Sequence, residues 1–145
     1  MISLKTNDPS LMPQYATKHS AGADIKSSVD LIIPAGTRAR VPTGVWIDTV
    51  QWDKVPSGFI PEIQVRARSG LAFKQGIMLT NGVGTVDADY PEEIGVLLYN
   101  SGTSDFVIQK GDRIAQVTIN LVARFDNAVS SSDSDRKSGF GSTGK

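Results

Sequence analysis

A chain of 145 residues with 39% hydrophobic side chains is long enough to bury one ordinary core, which excludes wholesale disorder. Fifteen basic against fifteen acidic residues give zero formal charge, not the basic surplus of a protein that tracks a nucleic-acid backbone. Cysteine is absent and His19 is the only histidine, so disulfides, thiolate or histidine-rich metal sites and a cysteine nucleophile are excluded.

The segment from Met1 to Pro9 has no long apolar run, and no stretch approaches the roughly 18 apolar residues of a membrane span. A soluble, cytoplasmic protein with no membrane contact is expected. His19 lies in a polar segment and reads as solvated rather than catalytic. Val (13), Ile (12) and Thr (10) outnumber Leu (8) and Met (3), a balance that suits pleated surfaces. Strands are expected at 29–33, 43–48, 59–65, 93–100 and 113–121, with one short helix at 69–74. Turn signals separate them: Pro34-Ala35-Gly36, Pro56-Ser57-Gly58, Asn81-Gly82, Ser101-Gly102 and Lys110-Gly111-Asp112. Short strands so closely spaced predict an all-β sandwich or barrel. Residues 130–145 hold six serines, three glycines and one large apolar residue, Phe140. Such a segment buries too little surface to offset its ordering entropy. The expectation is a core domain at 1–129 and a mobile tail at 130–145.

Four motifs invite a chemical reading. Gly139 to Lys145 matches G-x-x-x-x-G-K, but no Ser/Thr follows for a magnesium ion and no helix pattern accompanies it. A flap closing over a phosphorylated ligand is the alternative. Gly82-Val83-Gly84-Thr85-Val86-Asp87 lacks the third glycine and the helix of a dinucleotide fingerprint. In Asp87-Ala88-Asp89-Tyr90, residues two apart on a strand would aim both carboxylates into one site; a solvated turn is the other reading. Arg66-Ala67-Arg68-Ser69-Gly70-Leu71 can build an anion pocket from amides, a capping Ser69 hydroxyl and Arg68, or can be ordinary capping beside surface arginines.

Taken in order, five segments resemble the five motifs of the homotrimeric deoxyuridine triphosphate nucleotidohydrolases, the dUTPases. Ala21-Gly22-Ala23-Asp24-Ile25 resembles the first and Arg68-Ser69-Gly70-Leu71-Ala72 the second. Residues 81–90, ending Val86-Asp87-Ala88-Asp89-Tyr90, resemble the third. Gly111-Asp112-Arg113-Ile114-Ala115-Gln116 resembles the fourth and Gly139-Phe140-Gly141-Ser142-Thr143-Gly144 the fifth. The likeness spans 21–144.

The resemblance implies a jelly-roll-like β-barrel forming a homotrimer whose three active sites draw on all subunits. It implies hydrolysis of dUTP to dUMP and pyrophosphate with Mg²⁺, limiting uracil incorporation into DNA and supplying dUMP for dTTP synthesis. Asp87 would orient and deprotonate the water that attacks the α-phosphorus. Asn81 and the backbone through Thr85 and Val86 would read the uracil edge, with Tyr90 beneath the deoxyribose. Arg68, Ser69, Gly70 and Gln116 would hold phosphates. Phe140 would cover the uracil, with Gly141 and Ser142 also touching substrate. Asp24 would act near the metal through water, the ion being held mainly by triphosphate oxygens.

This chain departs from the pattern in places. Ala67 stands where proline is usual before the second motif, and Asp135 where arginine precedes the phenylalanine by five. Arg136 and Lys137 lie nearby, so the γ-phosphate contact, assigned to Arg136, has an open register. The stretch 48–58, with Trp52, is longer than a compact turn. Two other functions are weighed: a dCTP deaminase-like enzyme, which shares the fold, and a dUTP-binding regulator acting on a protein partner.

Overall fold

β-Branched residues fill short strands whose ends are marked by proline and glycine, so antiparallel pairing organises the chain. The computed structural model describes residues 1–125. Twelve strands are described, beginning with β1 (Ile2–Lys5), β2 (Gln14–Tyr15), β3 (Ala23–Lys26), β4 (Leu31–Ile33), β5 (Arg38–Pro42) and β6 (Trp46–Val50). They continue with β7 (Phe59–Arg66), β8 (Ile77–Leu79), β9 (Gly84–Asp87), β10 (Gly95–Asn100), β11 (Phe106–Ile108) and β12 (Arg113–Ala123). A short helix, α1 (Ser69–Gln75), joins β7 to β8.

β12 is the long central strand of a five-stranded sheet ordered β2-β3-β12-β7-β9. A second sheet runs β5-β10-β8, and two ribbons, β1-β6 and β11-β4, complete a jelly-roll-like barrel. Alternation on β10 sends Val96, Leu98 and Asn100 inward, where they meet Ile77 and Leu79 of β8. The core between the sheets is built from Ile25, Ile33, Val41, Ile63, Val65, Ile114 and Val117. Each fully buried side chain of this kind contributes about 1.5–3 kcal/mol relative to an exposed one. Asn100 is, with Ser27 and Thr43, a polar residue at 0% exposure, and its side chain is fully satisfied. Its amide donates to the carbonyls of Ile33 and Ser104 and its oxygen accepts from the Gly102 amide.

The five expected strands are present with shifted ends. The strand expected at 43–48 begins only at Trp46, because Thr43 turns inward and donates its hydroxyl to the Ile94 carbonyl at 2.6 Å. That corner also delays β10, expected from 93, to Gly95. In 48–58, β6 runs on to Val50, a single 3-10 turn covers Trp52–Lys54, and Trp52 is left more than half exposed. Among the described residues no helix is long and apolar enough to cross a membrane.

Candidate active site

Between β8 and β9 the chain crosses from the three-stranded sheet to the five-stranded one, and a pocket opens at the crossing. The turn is closed by hydrogen bonds from Thr80 N to Leu97 O and from Gly82 N to Leu79 O, with Gly82 at a φ of 72° that favours glycine. Val65, Leu79, Val86 and Leu97 make apolar walls, Asn81 and Thr85 a polar rim, and Tyr90 a buried side. The cavity measures about 170 Å³. Gly84 permits its shape, since a Cβ there would lie 3.2 Å from Val65 Cβ and 3.3 Å from Asn81 Nδ2. Apolar walls with an amide at one edge suit a small ring with a hydrogen-bonding edge, because the Asn amide both donates and accepts.

Tyr90 follows a turn in which its own amide donates to Asp87 O at 3.0 Å. Its hydroxyl donates to Glu92 Oε2 at 3.3 Å. Burial raises the phenol above its ordinary 10.0; the Glu92 carboxylate adds to the rise and Arg40 opposes it. The group is therefore a neutral donor across the physiological range.

A second cluster gathers two of the expected residues, Arg68 and Gln116, around a third, the buried carboxylate of Asp24. Asp24 on β3 lies opposite Gln116 on β12, whose Nε2 donates to Asp24 Oδ1 at 3.2 Å. Arg113 Nη1 donates to Asp24 Oδ2 at 3.1 Å, and Arg68 Nε stands 3.4 Å from Oδ1. Arg68 also donates from Nη1 to the Arg113 carbonyl at 2.8 Å. Gly22 belongs to this packing, because a Cβ would come within 3.3 Å of Gln116 Cβ. Two guanidinium groups sharing one carboxylate leave a net positive, donor-rich surface fit for oxyanions.

Ser69 does not cap α1 as expected. Arg68 occupies the cap position without a side-chain capping bond, and Ser69 and Gly70 are exposed residues of the first turn. Asp87 closes β9, but Asp89 lies beyond it in a turn, so the two carboxylates do not share a strand face. Asp87 stands opposite Glu62 of β7 and shares the face of Thr85 rather than that of Val86. It does not line the pocket, and neither do Asp24, Arg68 and Gln116. Arg136, Lys137, Phe140, Gly141 and Ser142, with the whole of 130–145, lie outside the described residues.

The fit to a metal is poor on these side chains. Among the described residues no group of three His, Asp or Glu side chains could hold an ion. Asp24 has both oxygens engaged by arginines and an amide, so it does not fit a direct ligand. Sequence reasoning missed Arg113 as a partner of Asp24, although it lies within the fourth motif. It also missed Glu62, Ile94, Gly95 and Arg40, which surround the pocket or its neighbouring strand end.

The family model described as dUTPase matches residues 8–144 of the chain. The deoxyuridine 5′-triphosphate nucleotidohydrolase of Rickettsia akari is 44% identical over 138 residues, covering 92% of this chain and 88% of its own length. That of Rhizobium etli is 44% identical over 151 residues, covering 99% and 92%. The crystal structure of the dUTPase from Streptococcus mutans is similar at a TM-score of 0.73 and 28% identity, over 87% of this chain and 98% of that one.

Proposed function

The chain belongs to the dUTPase family, and from that premise we propose that it hydrolyses dUTP to dUMP and pyrophosphate, limiting uracil in DNA and supplying dUMP. The observation that carries this reading is the convergence of Asn81, Thr85, Val86 and Tyr90 on one small pocket with apolar walls and a polar rim. In this reading Asn81 and the β9 backbone take the uracil edge, and Tyr90 lies under the deoxyribose, filling the space of a 2′-hydroxyl.

Arg68 and Gln116, oriented by Asp24, hold the phosphates, and the exposed first turn with Ser69 and Gly70 adds donors beside them. Asp87 accepts a proton from the attacking water as its oxygen bonds to the α-phosphorus; the α–β phosphoanhydride breaks and pyrophosphate leaves. We assign no step to a protein-held metal; the family's Mg²⁺ is read as travelling with the triphosphate. The pocket and the Asp24 cluster share no lining residue within one chain, which supports a homotrimer in which one copy brings phosphate ligands to another's pocket. Residues 130–145 are proposed as a closing segment beyond a core of 1–129, with Phe140 over the base, Gly141 and Ser142 beside it, and Arg136 at the γ-phosphate.

The test is pyrophosphate release from a panel of nucleotides with magnesium. Turnover selective for dUTP is expected. Ammonia release from dCTP would point to the deaminase instead, a reading not favoured by a dUTPase match across 8–144. The regulatory reading gains no support from the pocket or the family match, and it is not proposed.

A further inference from the structure

Tyr90 lines the pocket and carries a hydroxyl at its outer end, near the charged Glu92 and Arg40. The residue is 9% exposed, and its hydroxyl donates to Glu92 Oε2. Arg40, from β5, acts on the same phenol, its charge and its side-chain hydrogen bonding both opposing the rise in the hydroxyl's pKa. Gly95 makes room for that approach, since a Cβ there would strike the Arg40 side chain, 2.8 Å from Cζ and 3.0 Å from Cγ. Lying over this glycine, the guanidinium donates from Nη2 to the Glu93 carbonyl at 3.0 Å. The segment it grips is itself anchored: Gly44 N donates to Glu93 Oε1, and Ile94 N to Val45 O at 2.9 Å. One planar group thus serves two acceptors, which a compact ammonium does less well.

We propose that Arg40 is a positioning residue: with Glu92 it fixes the Tyr90 hydroxyl, and through it the ring that meets the sugar. How strictly the pocket refuses a 2′-hydroxyl then depends on a guanidinium that does not line it. This rests on the dUTPase reading of Tyr90. Without Arg40 the phenol loses one of the groups that hold it, and the ring can yield toward the space the guanidinium leaves.

Arg40→Met keeps an unbranched stem over Gly95 and removes the donors. In steady-state hydrolysis by the full chain, the UTP:dUTP ratio of kcat/KM is expected to rise about two- to tenfold, the weight of one net hydrogen bond. The gain should come chiefly from a lower KM for UTP. Tyr90→Phe is expected to raise the ratio similarly, and Arg40→Met should add nothing further in that background, because both act through one hydroxyl. Ring position is read separately from turnover by ¹⁹F NMR of the 3-fluorotyrosine-labelled protein, in which Tyr90 is one of three tyrosines. The Tyr90 resonance, identified by its loss in Tyr90→Phe, is expected to shift and broaden in Arg40→Met. An unchanged ratio, or a change of equal size in both backgrounds, overturns the proposal. If the parent chain releases no pyrophosphate from dUTP, the functional reading fails by itself. The fluorine signal then decides the positioning role alone, an unmoved resonance overturning it and a shifted one upholding it.

Discussion

Asp24 is held by two guanidinium groups, and that redundancy has a measurable signature. Arg68→Ala or Arg113→Ala alone leaves the carboxylate one cationic partner and is expected to cost about 1 kcal/mol, since both arginines are partly exposed. The double substitution leaves a carboxylate at 7% side-chain exposure with only the Gln116 amide, and should cost about 3–5 kcal/mol. Urea midpoints of the four proteins check this; a double mutant equal to the sum of the singles would remove the redundancy. Asp87→Asn is expected to retain dUTP binding and lose about 10²–10⁴-fold in turnover, the usual weight of a general base. A kcat within a few-fold of the parent would take Asp87 out of that role. Asn81, Thr85, Val86 and Tyr90 were legible through the likeness of 81–90 to one family motif, which holds them within ten consecutive residues. Arg113 was not, because its partner lies 89 residues away and meets it only through the β3–β12 register. Arg40 was hidden for the same reason: nothing in Thr37-Arg38-Ala39-Arg40 points to a tyrosine near residue 90.

At the scale of elements, Asn100 ties the end of β10 to β4 and to the loop that follows. Asn100→Leu preserves bulk but strips partners from Ile33 O, Ser104 O and Gly102 N. A buried group left unsatisfied costs about 1–3 kcal/mol, so a loss of at least about 3 kcal/mol is expected in denaturant unfolding. A milder effect would mean that water reaches these groups. The turn at Asp8 gives a pH signature. Hydrogen bonds from Ser10, then Lys110, lower its carboxyl from 3.8 to about 2. A carboxyl lowered on folding stabilises the fold above its unfolded value and loses that contribution as pH falls through the folded one. Residues 8–10 should therefore loosen from Lys110 as pH drops from 3.8 toward 2, with an NMR midpoint for Asp8 near 2. The loosening should vanish in Asp8→Ala. The sequence made 59–65 and 113–121 plain as strands because they are long and rich in β-branched residues. β2, with two residues, and β8 and β11, with three each, are too short for a period of two to register.

For the whole molecule, the informative surface is where β7 and β12 outrun the core. Their shared face is buried at Ile63 and Val117 and continues past them to Phe59, Ile119 and Leu121, which are exposed in the single chain. An apolar strip continuous with a core is the mark of a surface that another copy covers. Solution mass should be about three times 15.5 kDa. Ile119→Arg, which puts an unpaired charge on that strip, should yield monomers without dUTP turnover and with native circular dichroism. An active monomer would contradict the shared site. Composition could not reveal this strip, since Ile119 and Leu121 read from sequence as ordinary core positions of a strand.

In the proposed trimer the Tyr90 pocket and the Asp24 cluster of one chain serve different sites, and that arrangement has a genetic consequence. Each subunit would give its base-reading half to one neighbour's phosphates and its phosphate half to another neighbour's base. Arg68→Ala and Asp87→Asn, the latter on the strand that brings Thr85 and Val86 to the pocket, would then be lesions in different halves of different sites. In any ring containing both kinds of subunit, one junction joins an intact half to an intact half. Two alleles that are each inactive should therefore complement when expressed together, and a mixed preparation should recover part of the parental rate.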